Sequence, residues 1–190
     1  GYAMYKVYGQ MIGAKMTPIS YDPHNYLSSE DLMATFPEDC KLVFLPTPSQ
    51  PVENYFSPIE IRCIAKRCAK RNILLAIDEA YHFFGSDTAI SLTNEFDNVL
   101  VLRTFSKAFG GGGLRLGYVI GSEKGIAPLA AFRLAHEANA LTYHVGTLLL
   151  DNYEGFVSQS ISEVCEGRDF FRENCLNNNF QAWGSFGNFV

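Results

Sequence analysis

Four short apolar runs, unbroken by alternating polar residues, limit most strongly what this chain can fold into. They lie at 41–46 (Lys-Leu-Val-Phe-Leu-Pro), Ile73–Ile77, Val99–Leu102 and Leu116–Ile120. A strand that is apolar on both faces has to be covered on both faces, as in a parallel sheet between helical layers. The alternation of such runs with helical stretches predicts a three-layer α/β/α domain with a mainly parallel central sheet. The helix after the first run carries a strong start signal: Ser57 can cap, Pro58 fits the first helical position and Glu60 completes a capping box. Ile61, Ile64, Ala65, Cys68 and Ala69 then recur at helical spacing. From about 123 to 178 the chain reads as mostly helical, with Tyr143–Phe171 as one long helix. Gly184–Val190 reads as the first strand of another subdomain.

Composition excludes several classes. The chain has 190 residues, 47% apolar and 18% charged, with a net charge of −5, so disorder and an electrostatic footprint for nucleic acid or an anionic membrane are not expected. No apolar run approaches the roughly 20 residues needed to span a bilayer, and a signal peptide is either absent or already removed. Cys40, Cys63, Cys68, Cys165 and Cys175 form no CxxC pair, which predicts free thiols in a reducing cytoplasm and no zinc site. His24, His82, His136 and His144 show no metal-ligand spacing; His82 is expected at the surface or just behind a site. Glu30, Asp31, Glu38 and Asp39 read as solvated charges. The length alone suits one domain. The chain opens on Gly1 rather than Met and stops at Asn188-Phe189-Val190, so part of a longer protein is the expectation.

In open parallel sheets ligands bind outside the carboxyl ends of the strands. Here Asp78 and Tyr81 follow the second run, and Thr104, Ser106 and Lys107 follow the third. Taken alone, Asp78 could cap a helix or pair with an arginine, and Lys107 could be a solvated surface charge. Together they suggest more. A lysine at the end of a buried strand loses hydration, which favours its free amine, the form that makes a Schiff base with an aldehyde. The hydroxyls of Thr104 and Ser106, the glycines at 110–113 and Arg115 suit a phosphate. An aldehyde carrying a phosphate, with an acid for a ring nitrogen, describes pyridoxal 5′-phosphate. The glycine run itself has neither the P-loop order nor the dinucleotide fingerprint.

At these residues the chain resembles the aspartate-aminotransferase superfamily of fold type I pyridoxal-phosphate enzymes, and within it the histidinol-phosphate aminotransferase branch. Asp78-Glu79-Ala80-Tyr81 is similar to the family's acidic-plus-tyrosine motif. Arg103 to Gly110 with Gly113-Leu114-Arg115-Leu116-Gly117-Tyr118 is similar to its lysine motif, and Tyr2-Ala3-Met4-Tyr5 with Gly13-Ala14-Lys15 to the segment carrying the ring-stacking aromatic. The resemblance implies that Lys107 forms the Schiff base and shuttles protons, and that Asp78 pairs with the pyridine nitrogen. It implies further that Tyr81 bonds the phenolic oxygen, that Thr104, Ser106 and Arg115 hold the phosphate, and that Tyr2 stacks on the ring.

Departures from the family pattern fall in two places. Thr47-Pro48-Ser49-Gln50-Pro51-Val52-Glu53 replaces the family's Asn-Pro-Asn-Asn-Pro-Thr-Gly, with Gln50 where the asparagine on the phenolic oxygen would be. Loss of the Thr-Gly turn implies a reshaped loop, and Gly111 and Gly112 in place of bulkier residues imply a floppier one. The family's N-terminal phosphate-gripping segment would lie before Gly1, and its carboxylate-binding arginine beyond Val190. The resemblance therefore implies a large, cofactor-binding domain over 1–180 and the start of a small domain over 181–190. For the parent protein it implies a cytoplasmic homodimeric aminotransferase moving an amino group from an amino acid or amino phosphate to a 2-oxo acid. The alternatives are a decarboxylase or lyase similar to the threonine-phosphate decarboxylases, or a non-catalytic domain of the same fold.

Overall fold

A computed structural model describes residues 2–20, 26–133 and 137–190; His24 and His136 lie outside the described residues. The four apolar runs form one sheet, β1 (Leu42–Pro46), β2 (Leu74–Asp78), β3 (Val99–Thr104) and β4 (Gly117–Gly121), in that spatial order. The first three are parallel, with Pro46 opposite Asp78 and Asp78 opposite Leu102. The fourth is antiparallel to β3, pairing Gly117 with Thr104. Its direction has its cause in the connection: residues 105–116 contain only a short 3-10 turn at Gly112–Leu114, not the helical crossover that a parallel neighbour requires.

In chain order the helices are α1 (Ala3–Met11), α2 (Ser29–Ala34), α3 (Pro58–Lys70), α4 (Glu123–Ala130), α5 (Ala140–Asp151) and α6 (Gln159–Asn177). One face of the sheet carries the main core. Val43, Leu45, Leu75, Ile77, Val99 and Val101 pack there with Leu32 of α2, with Phe36 just after it, and with the apolar side of α3. The start of α3 is as the sequence predicts. Ser57 Oγ accepts from the Glu60 amide, Glu60 Oε2 accepts from the Ser57 amide at 2.9 Å, and Pro58 stands in the first turn. Its buried face is Ile61, Ile64, Ala65 and Cys68, whereas Ala69 is exposed. On the opposite face of the sheet Tyr5 of α1 stacks on Phe44 at 4.7 Å, and Ile126 of α4 and Leu100 close over Gly121. Along β1 only Val43 and Leu45 enter the main core, while Leu42 and Phe44, on the opposite face, stay partly exposed.

Two expectations differ from what is observed. The predicted single helix over Tyr143–Phe171 is two helices. Asn152 leaves helical geometry (φ −116°, ψ 32°), its side-chain amide donates to the Leu148 carbonyl, and a π turn at Glu154–Ser158 precedes α6. The extra residue of a π turn rotates the helix beyond it, and Val157 and Ile161 thereby enter a second cluster with Tyr81, Phe84, Phe105 and Phe109. Residues 184–190, expected to begin a strand, are irregular instead, with bends at 185–188. No helix among the described residues is long and apolar enough to cross a membrane.

Candidate functional site

Parallel pairing brings the ends of β1, β2 and β3 to one edge, and most of the sequence-predicted residues collect there. Asp78 closes β2, its carbonyl accepting from the Thr47 amide at 3.0 Å. Its Oδ1 accepts from the Ala80 amide at 3.0 Å and its Oδ2 from the Tyr5 hydroxyl. Burial and the neighbouring carboxylate hold the Tyr5 hydroxyl above the ordinary phenol range. Asp78 thus has the local turn that a purely structural aspartate would have, and no arginine among the described residues pairs with it; the nearby Arg103 belongs to Glu79.

Three residues on, Tyr81 is 8% exposed and donates from its hydroxyl to Gln50 Oε1 at 2.9 Å. Lys107 Nζ stands over the Tyr81 ring, 5.3 Å from its centroid. The three predicted residues Tyr81, Gln50 and Lys107, from three separate loops, are therefore in contact range of one another through Tyr81. Lys107 itself is exposed, so the burial expected of a lysine after a buried strand is not present; the turn that follows β3 carries it out of the sheet.

On the phosphate side, Thr104 Oγ1 accepts from the Ser106 amide at 3.0 Å, forming a tight turn directly after β3. Arg115 adopts a left-handed conformation (φ 52°), is exposed, and donates to the Gly112 carbonyl at 3.0 Å. Its guanidinium is thus turned onto its own loop. That loop is held more firmly than expected from its composition. The Gly111 amide donates to the Phe105 carbonyl at 2.8 Å, and a Cβ at Gly111 would stand 3.0 Å from that carbonyl oxygen. Gly111 is required here for close approach, not for looseness.

Tyr2, the expected ring-stacking aromatic, is 59% exposed and meets Tyr5 edge-on at 5.5 Å. Tyr5, from the same motif, is the residue in contact with Asp78. Its position one helical turn further on was the available signal for it. Sequence reasoning also passed over Glu79, 1% exposed. Glu79 Oε2 accepts from Arg103 Nε at 3.0 Å and Nη2 at 2.8 Å, and Oε1 accepts from the Ala89 amide at 2.6 Å. Thr88 Oγ1 joins both groups. This ion pair ties the end of β2 to the end of β3, immediately behind Asp78 and Thr104. Beside it lies His82, whose buried Nδ1 meets no hydrogen-bond partner among the described residues; burial first, then the Arg103 charge, hold it below the usual imidazole range. Among the described residues no group of His, Cys, Asp and Glu is arranged to hold a metal ion.

A family model described as aminotransferase class I and II matches residues 1–190. The chain is 32% identical over 169 residues to a histidinol-phosphate aminotransferase of Thermoanaerobacter pseudethanolicus, covering 88% of this chain and 47% of that protein. It superposes with a TM-score of 0.86 on the crystal structure of histidinol-phosphate aminotransferase from Sinorhizobium meliloti in complex with pyridoxal-5′-phosphate, at 19% identity and covering 98% of this chain and 51% of that one. The L-threonine-O-3-phosphate decarboxylase of Porphyromonas gingivalis superposes with a TM-score of 0.70, at 19% identity and covering 83% of this chain and 48% of that one. The chain spans about half the length of the curated relatives it matches. With a family match from the first residue to the last, and the family's sheet and helical layers in the structure, the chain belongs to the aminotransferase class I and II family.

Proposed function

We propose that this chain is the cofactor-binding part of a pyridoxal-phosphate-dependent aminotransferase of the histidinol-phosphate aminotransferase type. The observation that carries this reading is the convergence of Asp78, the Tyr81–Gln50 pair and Lys107 at one end of the parallel strands. The residues fit the group chemically. Asp78 offers a carboxylate to a protonated ring nitrogen, and its Tyr5 and Ala80 contacts keep it oriented while leaving acceptor capacity. Tyr81 and Gln50 would flank the phenolic oxygen. Thr104, Ser106 and Arg115 would bind the phosphate, Arg115 by swinging from the Gly112 carbonyl. Tyr2 would lie against the ring.

When bound, pyridoxal phosphate supplies an aldehyde and an electron-withdrawing ring. The chain's own residues bind, orient and move protons around it. Lys107, exposed above Tyr81, is open to an aldehyde and is the group that takes and returns the proton at the substrate α-carbon. The Glu79–Arg103 pair fixes the two strand ends, so that Asp78 and Lys107 keep their separation.

The substrates in this reading are a phosphorylated amino alcohol or an amino acid and a 2-oxo acid. The parent protein is a cytoplasmic homodimer, and residues 1–180 form its large domain with 181–190 leading into a second.

After removal of unbound pyridoxal phosphate, the chain should retain a visible absorbance band that Lys107→Ala lacks; a band retained equally in Lys107→Ala overturns the assignment. In the parent protein, amino donors should bleach the band with release of a 2-oxo acid. Release of carbon dioxide instead would make the protein a decarboxylase, and no bleaching by any donor would favour a non-catalytic domain.

A further inference from the structure

The loop after β1 carries a carboxylate that grips a distant piece of backbone. Glu53 Oε2 accepts from the Ser185 amide at 2.7 Å, and Oε1 accepts from the Phe186 and Gly187 amides at 2.8 Å and 3.1 Å. Three consecutive amides converging on one carboxylate form an anion-binding concavity filled from within the chain. The carbonyls of the same segment are held from the other side. Arg168 Nη1 donates to the Gly187 carbonyl at 2.9 Å, and Arg172 Nη1 to the Gly184 carbonyl at 3.0 Å. Tyr55, two residues after Glu53, stacks on Phe186 at 4.3 Å.

The grip has a consequence at the candidate site. Phe189 folds back over Gly187, where a Cβ would stand 2.3 Å from its ring. From there it meets the Tyr81 ring at 5.2 Å and 80°. Tyr81 is the residue that bonds Gln50, which lies in the same loop as Glu53. One loop thus supplies both the amide on the Tyr81 hydroxyl and the carboxylate that fixes the segment bearing the aromatic on the Tyr81 ring.

We infer that Glu53 is a positioning residue: by holding residues 185–187 it sets Phe189 against Tyr81 and so completes the aromatic wall of the cofactor site. Its role in cofactor binding rests on the proposed function; the clasp and its effect on Tyr81 do not. A Gly at position 53 has no side-chain acceptor, so the clasp depends on the Glu53 carboxylate.

The test uses the full chain with Glu53→Gly, Glu53→Gln and Phe189→Ala, read first without cofactor. Hydrogen exchange at the amides of 185–187 should be at least about tenfold faster in Glu53→Gly, because bonds to a charged acceptor are the strong ones. Amides of β2 and β3 should be unchanged, which controls for folding. Glu53→Gln keeps one acceptor oxygen, so Phe186 and Gly187 should stay partly protected while Ser185 is released. Trp183, the chain's single tryptophan, should become more accessible to acrylamide in Glu53→Gly. The ring-current shift that Phe189 imposes on the Tyr81 ring protons should be lost in both Glu53→Gly and Phe189→Ala. Unchanged exchange at 185–187 in Glu53→Gly overturns the clasp, and a retained Tyr81 shift overturns the positioning role. With pyridoxal phosphate, both variants should bind several-fold more weakly than the unaltered chain; equal binding overturns the link to the cofactor. If the unaltered chain takes up no cofactor, the proposed function falls, and the exchange and ring-current readouts still decide the positioning role.

Discussion

Gln50 Oε1 accepts a hydrogen bond from the Tyr81 hydroxyl at 2.9 Å, joining the loop after β1 to the loop after β2. The glutamine arm thus reaches across from its own loop to place an amide oxygen on the Tyr81 hydroxyl. That loop is closed on itself: Ser49 and Asn54 bond across it, and the Phe56 amide donates to Thr47 Oγ1. A neutral hydrogen bond contributes about 0.5–1.5 kcal/mol net. Tyr81→Phe and Gln50→Ala should therefore each weaken pyridoxal phosphate binding by about three- to tenfold in an absorbance titration. Because the two groups act together, the double variant should lose less than the sum of the singles. Strict additivity would show that they do not share a contact with the cofactor.

Tyr5, half-buried on Phe44, places its hydroxyl on Asp78 Oδ2. Its removal leaves a carboxylate oxygen without its donor, and bonds to charged groups contribute about 1.5–3 kcal/mol. Discounted for partial exposure, Tyr5→Phe should lower stability by about 1–2 kcal/mol in urea unfolding. Tyr2→Phe, at an exposed position, should change it by less than about 0.5 kcal/mol. Equal effects of the two changes would remove Tyr5 from the Asp78 environment.

Glu79 and Arg103 make a different kind of contact, since both side chains are almost wholly withdrawn from water. Breaking a buried pair from one side costs about 3–5 kcal/mol because a charge is left uncompensated. Arg103→Met should show a loss of that size in urea unfolding. Glu79→Leu added to Arg103→Met should recover part of it. Recovery stays incomplete because Glu79 also accepts from the Ala89 amide and Thr88. Full recovery would mean that those two bonds contribute nothing.

The sheet and the placement of Asp78, Tyr81 and Lys107 were legible because they depend on local signals: apolar runs of strand length, each followed by a polar break. The cap of α3 was legible for the same reason, Ser57, Pro58 and Glu60 being neighbours in sequence. The features that escaped depend on distance in the chain. Glu53 meets the amides of 185–187 only after the whole domain has closed, and nothing local marks a glutamate as an acceptor for remote backbone. The exposure of Lys107 and the turn of Arg115 onto Gly112 come from the path of the 105–116 loop, which composition does not specify. The break at Asn152 was hidden by apolar spacing that runs through it, because one residue in a π turn shifts the helical face without interrupting the pattern.

His82 gives the chain a dependence on pH whose sign is fixed by its surroundings. Its imidazole is held below the usual range, first by burial and then by the Arg103 charge, with Glu79 opposing them. In the unfolded chain a histidine titrates near 6.5. Above that pH both states are neutral at this residue and it has no effect on stability. As the pH falls below about 6.5 the unfolded chain binds a proton that the native state resists, so stability declines until the folded pKa is reached. Glu60 and Asp169, whose carboxyls are held low by their partners, act only below the carboxylate range near 4. The urea midpoint should therefore fall between pH 7.5 and pH 5.5, and His82→Phe should flatten that fall. An equally steep fall in His82→Phe would assign the effect to another group.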